Sequence, residues 1–238
     1  MIPKKLARSR THLLKYAGEF VIIFSSITFT WWFDEWRQER EDRKEEARLL
    51  RNLNANLQQD SVNLTGELNY IRRSQHTLNT FLEKLETGDL KDSDSSGFML
   101  RRLIVAPEFH PNTTTFEAIK STGELKLISD DSLSQAIMNM YEVTYGQLDF
   151  LINIYNQTST VTMWNYSIEN HDLRRVLGPP GDRIYKLVFK NDKERLVLIN
   201  KIMFNAMAIV FTMDRMETAL EEISLVRHRI RQRINALT

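Results

Sequence analysis

The feature that most constrains this chain is an apolar stretch from Tyr16 to Phe33, YAGEFVIIFSSITFTWWF, with one carboxylate at Glu19. A basic tail without acidic residues precedes it, and a mixed-charge run, DEWRQEREDRKEEARLL, follows it without a Pro or Gly. Its eighteen largely apolar residues lie at the short end of what spans a bilayer as a helix. The pattern predicts a basic tail at residues 1–15 and a transmembrane helix at residues 16–33 that continues into a long water-exposed helix.

Two other interpretations of this stretch are a signal peptide and the core helix of a soluble domain. A signal peptide needs a small-residue cleavage site after its apolar core, whereas this core runs into Trp31, Trp32 and Phe33. Aromatic side chains gather at membrane–water interfaces, and Tyr16 marks the other end. We therefore favour a span. Five Lys or Arg lie on each side of it, and the undiluted charge of the tail favours a cytoplasmic N-terminus.

The predicted span has two different faces. Glu19, Ser26 and Thr30 follow one stripe at helical spacing, next to Gly18. Small and hydroxyl side chains in membranes pack against other helices, so this stripe is a candidate helix-packing surface. Glu19 either reaches the interface and pairs with Lys15 or contacts a partner helix. The lipid and interface candidates are aromatic: Tyr16, Phe20, Phe24, Trp31 and Trp32.

Residues 34–238 are predicted to form an all-α antiparallel bundle outside the membrane. Apolar residues recur every seven positions along the first long helix, at Leu50, Leu57, Leu64, Ile71, Leu78 and Leu85. Companion positions such as Asp60, Glu67 and Ser74 are polar, which favours bundle packing over an isolated two-stranded coiled coil. Long helices are expected at about 34–86, 132–170 and 192–235, and short ones at about 98–105 and 115–121.

A second apolar run, residues 196–213, lies in the last long helix. It contains Asn200, Lys201 and Asn205, and a Lys at the centre of a span costs about 2.5–3.5 kcal/mol on insertion scales. No aromatic belt flanks the run. A core-facing bundle helix is therefore favoured over a second span.

Composition and motifs narrow the possible chemistry. The chain has no Cys, which excludes disulfides, thiolate catalysis and Cys-ligated metals, and its net charge of +1 gives no reason to expect nucleic acid. Its five His are scattered, and no phosphate-binding loop or nucleophile elbow is present. We predict no catalytic residue, no cofactor and no metal site.

A basic cluster stands near the C-terminus, at Arg227, Arg229, Arg231 and Arg233. Cations at a helix C-terminus complement the helix dipole. If the last helix returns antiparallel to the first, these side chains also come back beside the acidic run Asp34–Glu46. Anionic lipid or an acidic partner subunit is a further possible target. Nucleic acid is disfavoured because stacking aromatics are missing from the cluster.

Three stretches together resemble an uncharacterised family of bacterial single-span membrane proteins. The family's Y-A-x-G-E has its counterpart, one residue shorter, in Tyr16-Ala17-Gly18-Glu19, and its W-x-x-E-R-x-x-R in Trp36, Glu39, Arg40 and Arg43. Its central phrase F-x-x-L-K-S-S-G-x-L-x-L-I corresponds to Phe116, Ile119, Lys120, Ser121, Thr122, Gly123, Leu125, Leu127 and Ile128, followed by Met140-Tyr141. The resemblance covers most of residues 16–145 and departs within the span, at SSITFTWW. It implies an all-helical, membrane-anchored domain and no established activity.

These observations lead to a structural rather than a catalytic expectation. We expect a single-pass protein of a bacterial inner membrane, with its N-terminus in the cytoplasm and its helical domain in the periplasm. Its partners would be membrane lipid and other membrane-protein subunits, whose complex it stabilises or organises. The alternatives are a self-associating scaffold or signal-transmitting sensor and, more remotely, a membrane-anchored hydrolase with a site in loops 98–125.

Overall fold

In a computed structural model of the chain, the described residues are 4–88, 99–100, 102, 105–170 and 189–237, and the side chains of 4–18 and 158–160 lie outside this description. All regular structure in the described residues is helical. One continuous helix, α1, runs from Lys4 to Thr87. At about 1.5 Å per residue its 84 residues span roughly 125 Å.

The second half of α1 forms one wall of the bundle. Its buried positions alternate at three- and four-residue intervals over most of its length, as in a coiled-coil seam. Polar Asp60 and Ser74 take their places in this buried series beside the leucines. The members of the series are Glu46, Leu50, Leu53, Leu57, Asp60, Leu64, Leu68, Ile71, Ser74, Leu78, Phe81 and Leu85.

Short elements lead the chain back toward the end of the bundle that contains Glu46. Helix α2, Thr114–Thr122, ends at Gly123, whose φ of 75° places it in the left-handed region and lets its N–H cap the helix on the carbonyls of Ile119 and Lys120. A 3₁₀ turn, Glu124–Leu127, follows. Since left-handed backbone is costly for residues with a Cβ, glycine suits this corner.

The middle wall of the bundle is a helical run with two π-helical segments. It consists of α3, Asp131–Asn139, α4, Tyr145–Tyr155, and α5, Thr162–Asn170. The π segments Met140–Thr144 and Asn156–Val161 join them. The Asp130 carboxylate caps α3 by accepting a hydrogen bond from the Leu133 N–H at 2.9 Å. Asp is among the residues preferred at this position, because its side chain satisfies an N–H of the first turn.

The last helix, α6, runs from Asp192 to Leu237 and packs antiparallel along α1 and against α4. Its buried residues alternate strictly at intervals of four and three. They are Leu198, Ile202, Asn205, Ile209, Thr212, Met216, Ala219, Ile223, Val226 and Ile230. The seams of α1 and α6 thus face each other and supply most of the core.

Among the described residues, α6 is the one helix long and apolar enough to cross a membrane. The described side chains of the N-terminal apolar stretch begin at Glu19. The eighteen residues that start there include three acids, Glu19, Asp34 and Glu35, and are therefore less apolar than the best stretch of α6. The all-helical fold is confirmed, and the N-terminal position of the span stays a prediction.

The short helix expected at about 98–105 falls partly on residues outside the description. The expected helices near 115–121, 132–170 and 192–235 correspond to Thr114–Thr122, the α3–α5 run and Asp192–Leu237.

Candidate functional site

The first candidate site is the apolar part of α1 that precedes the bundle. Its large side chains are exposed, from 69% at Phe20 to 45% at Trp36. Phe20 stacks on Phe24 with ring centroids 6.1 Å apart, and the guanidinium of Arg40 lies 5.0 Å from the ring centroid of Trp36. Trp31 and Trp32 are exposed as well. The described residues therefore present an exposed apolar surface, rich in aromatic side chains, on an uninterrupted helix.

The hydroxyl groups in this segment donate to their own helix. Ser26 Oγ donates to the Ile22 carbonyl at 2.7 Å, and Thr30 Oγ1 donates to the Ser26 carbonyl at 2.8 Å. Such bonds to the preceding turn satisfy a hydroxyl without a partner helix. Ser26 and Thr30 can accept from another helix but need not donate to it. Glu19 is exposed, and the exposure of Tyr16 and of Gly18 lies outside the description.

The second candidate site is a charged network where the bundle meets this segment. The Glu46 carboxylate is only 3% exposed and accepts from Arg233 Nε at 2.8 Å and from Ser129 Oγ at 2.9 Å. Arg233 also bonds to Ser129, and its hydrogen bond with Glu46 raises the pKa of the guanidinium. This network ties α1, the start of the α3–α5 run and the end of α6 together.

A cavity of about 510 Å³ opens beside this network. Its walls carry three acids and three bases, at Glu39, Asp42, Arg43, Glu46, Lys126 and Arg233. Arg43 lies 3.9 Å from Glu39, and Arg233 is held by Glu46. Because these charges largely neutralise one another, the cavity has no marked preference for an anion or a cation.

The predicted basic cluster is used mainly inside the molecule. Arg227 reaches Asn54 Oδ1 at 3.3 Å and also bonds to Gln58, and burial lowers the pKa of its guanidinium. Arg229 donates to Ser132 Oγ at 2.9 Å, whereas Arg231 is exposed. Three of the four arginines, Arg233 among them, thus bond to the bundle, and the antiparallel return places Arg233 against Glu46 of the acidic run.

The third candidate site is a buried polar cluster at the first π segment. The Asp60 carboxylate is fully buried and accepts from the Asn112 backbone N–H and from Tyr145 Oη, each at 2.8 Å. The ring of Tyr141 stacks on Phe116 at a centroid distance of 4.5 Å and meets Tyr145 edge to face at 5.4 Å. No described atom lies within hydrogen-bond distance of the buried Tyr141 hydroxyl.

This environment disfavours charge on all three side chains. Burial raises the pKa of Asp60, although the Asn112 N–H and the Tyr145 hydroxyl oppose the shift. Burial and the nearby Asp60 carboxylate also raise the pKa of Tyr141 and Tyr145. The cluster therefore couples the fold to protonation of one carboxyl group. π segments often occur at functional sites.

Sequence patterns alone did not identify the Asp60 cluster. In the sequence, Asp60 stands out only as a polar break in the heptad pattern, and Tyr141 only as part of the family resemblance. The sequence signal for such a cluster is a carboxylate at a position that the heptad pattern assigns to the core, because a buried acid requires hydrogen-bond partners. Among the described residues, no group of three His, Asp or Glu side chains is placed to hold a metal ion.

Comparison with known proteins adds one finding. No curated protein and no solved structure matches the chain. Residues 19–165, more than half of the sequence, match a family of unknown function. The match begins within the apolar part of α1 and includes Glu46, the Asp60 cluster and both π segments. The chain therefore belongs to DUF6090, a family of unknown function.

Proposed function

We propose that this chain is a single-pass membrane protein whose span is residues 16–33 and whose bundle is a structural subunit of a larger membrane assembly. The observation that carries the proposal is the exposed aromatic surface of α1 from Phe20 to Trp36. Contiguous apolar surface of this extent on one helix is disfavoured in water and marks a membrane or protein contact. Because the helix continues unbroken into the bundle, the anchor and the bundle would move together.

The packing of α6 supports α1 rather than α6 as the span. The inner face of α6 is buried against the bundle and includes polar Asn205 and Thr212. Lys201 lies over the ring of Tyr166, 5.9 Å from its centroid. Moving α6 into lipid would uncover the apolar seam of α1 and bring this Lys into hydrocarbon, which is costly.

The stripe of Gly18, Glu19, Ser26 and Thr30 supports a role within an assembly. Small residues allow close helix approach, and the hydroxyl oxygens of Ser26 and Thr30 remain able to accept hydrogen bonds. We assign lipid to the aromatic stripe and other membrane-protein subunits to the stripe of Gly18, Glu19, Ser26 and Thr30. The family resemblance favours a bacterial cytoplasmic membrane. The basic tail without acidic residues favours the N-terminus in the cytoplasm and therefore the bundle in the periplasm.

Purification in mild detergent, followed by sizing and mass spectrometry, tests the assembly role. We expect the chain to co-purify with other membrane-protein subunits, and replacement of Glu19, Ser26 and Thr30 by Leu to release it while leaving it in the membrane. The matched control is Phe20→Leu with Phe24→Leu on the lipid face, which should change nothing. Unchanged co-purification of the triple variant would remove the stripe as the contact. Purification without any other subunit would end the assembly proposal.

Orientation can be tested separately because the chain has no Cys. Glu86 is exposed near the far end of α1. In intact cells, a membrane-impermeant maleimide should label Glu86→Cys. Labelling that requires lysis would reverse the proposed orientation.

A further inference from the structure

The outer face of α6 carries a second apolar seam, opposite the one buried in the core. Its exposed positions repeat at intervals of four and three, as the buried positions do. In the N-terminal half of the helix, the upper half, these positions are Leu196, Asn200, Met203, Met207 and Val210. Phe204 and Phe211 flank them. No described residue covers this face. A helix that is apolar on both faces is expected to be buried on both.

The size of this face fits a stable protein interface. Exposed fractions are 55% for Leu196, 49% for Met203, 56% for Met207 and 51% for Val210, with 55% and 60% for the flanking phenylalanines. A large side chain offers on the order of 150–250 Å² when it is fully exposed. Since these six side chains are about half exposed, the face as a whole offers on the order of 700 Å². Standard interfaces bury about 800 Å² per partner.

The order of residues along the face fits a second copy of the same helix. In heptad terms, Asn200 and Met207 take a positions and Leu196, Met203 and Val210 take d positions. A single Asn at an a position of a parallel coiled coil pairs with its counterpart and fixes the register. In a parallel pair around a two-fold axis, each residue faces itself, so Asn200 meets Asn200 and no apolar residue faces a polar one.

The lower half of the same face limits the contact to the upper half. The four–three series continues from Val210 through Asp214, Glu217 and Glu221, all exposed, and Glu217 pairs with Arg72 of α1 at 2.7 Å. Two copies would bring Asp214 against Asp214 and Glu221 against Glu221, and facing like charges are unfavourable. The seam therefore ends near Phe211.

We propose that two copies of this chain associate in parallel through the outer face of α6, over residues 196–211. The parallel direction rests on the proposed function, because two chains anchored by α1 in one membrane must point the same way. An antiparallel pair would send the two anchors in opposite directions. The dimer is then the form in which the subunit enters its assembly.

Disulfide trapping tests this arrangement in the full-length chain, in native membrane vesicles. Leu196→Cys and Val210→Cys, made singly, should each form a disulfide-linked species of twice the 28.0 kDa chain mass on oxidation. Asn79→Cys is the control, because Asn79 is exposed on α1 and should stay monomeric. Crosslinking only when Leu196→Cys and Val210→Cys are mixed would show an antiparallel pair and overturn the proposal. The absence of a dimer from both variants would also overturn the proposal, as would a crosslink to a different protein.

A charge placed in the seam provides the second measurement. Met207→Glu, added to Leu196→Cys, should lower the crosslinked fraction at least tenfold. Ser224→Glu, on the lower half of the same face, should leave it within twofold. Equal crosslinking with Met207→Glu would overturn the dimer. Membrane attachment is scored on the same vesicles, so a chain that stays in the membrane without dimers refutes this inference and leaves the proposed anchor standing.

Discussion

Asp60 shows how one buried carboxyl group shapes this core. It replaces an apolar side chain in the α1 seam and compensates with hydrogen bonds from the Asn112 N–H and from Tyr145. A buried acid that is only partly compensated keeps its proton more readily. In the folded chain, the pKa of Asp60 is accordingly raised.

Replacement of Asp60 by Asn should flatten the dependence of stability on pH. Because the folded pKa lies above the unfolded value of about 3.9, the folded state binds the proton more tightly between the two pKa values. Wild-type stability should therefore be greatest below that window and fall as pH rises through it. Thermal unfolding of both proteins in detergent, from about pH 4 upward, measures this. Asp214→Asn on the exposed face is the control, and parallel curves for wild type and Asp60→Asn would contradict the assignment.

Removal of the Glu46 carboxylate should destabilise the junction of three helices. Glu46→Ala leaves the Ser129 N–H and the Arg233 guanidinium without their acceptor, which typically costs about 1–3 kcal/mol. Denaturant unfolding of the full chain provides the measurement. The neighbouring Glu45→Ala breaks only a surface contact with Arg48 and should leave stability unchanged. Equal changes in the free energy of unfolding for the two variants would show that the Glu46 network adds nothing to stability.

At the scale of elements, the two long helices could be predicted from sequence and the middle wall only partly. Leucines at seven-residue spacing and the shortage of Pro and Gly indicate α1, and matched helix lengths bring Arg233 back to Glu46. Tyr145 reaches Asp60 across 85 residues, through a run with two π segments. A π segment adds a residue to a turn and shifts the face that follows. Ordinary helical periodicity therefore does not indicate which tyrosine faces the carboxylate.

Two glycine-to-alanine changes should have opposite effects. Gly123 has a φ of 75°, and a Cβ in left-handed backbone costs roughly 1–2 kcal/mol. Gly66 lies inside α1, and an added Cβ meets nothing within 4 Å. Alanine there should stabilise the helix by about 0.5–1 kcal/mol. Thermal unfolding should show a lower Tm for Gly123→Ala and a higher Tm for Gly66→Ala. A change of Tm with the same sign for both variants would contradict this account of the two backbone conformations.

At the scale of the whole molecule, one long helix joins two regions with different surfaces. The part of α1 below the bundle exposes aromatic side chains, and the part within the bundle buries a heptad seam against α6. The sequence indicates both regions because their compositions differ sharply. The sequence pattern does not reveal the second seam of α6, because its apolar residues overlap in sequence with those of the core seam. Only their placement on opposite faces separates the two.

The central claim is that α1, and not α6, holds the chain in the membrane. A chain that starts at residue 34 retains the whole of α6 and the bundle but lacks the aromatic segment. Alkaline extraction of membranes, with the full-length chain as reference, measures the difference directly. We expect the full-length chain to remain in the pellet and the shortened chain to be released into the supernatant. If the shortened chain stays in the pellet as the full chain does, α6 is the anchor and the account is wrong.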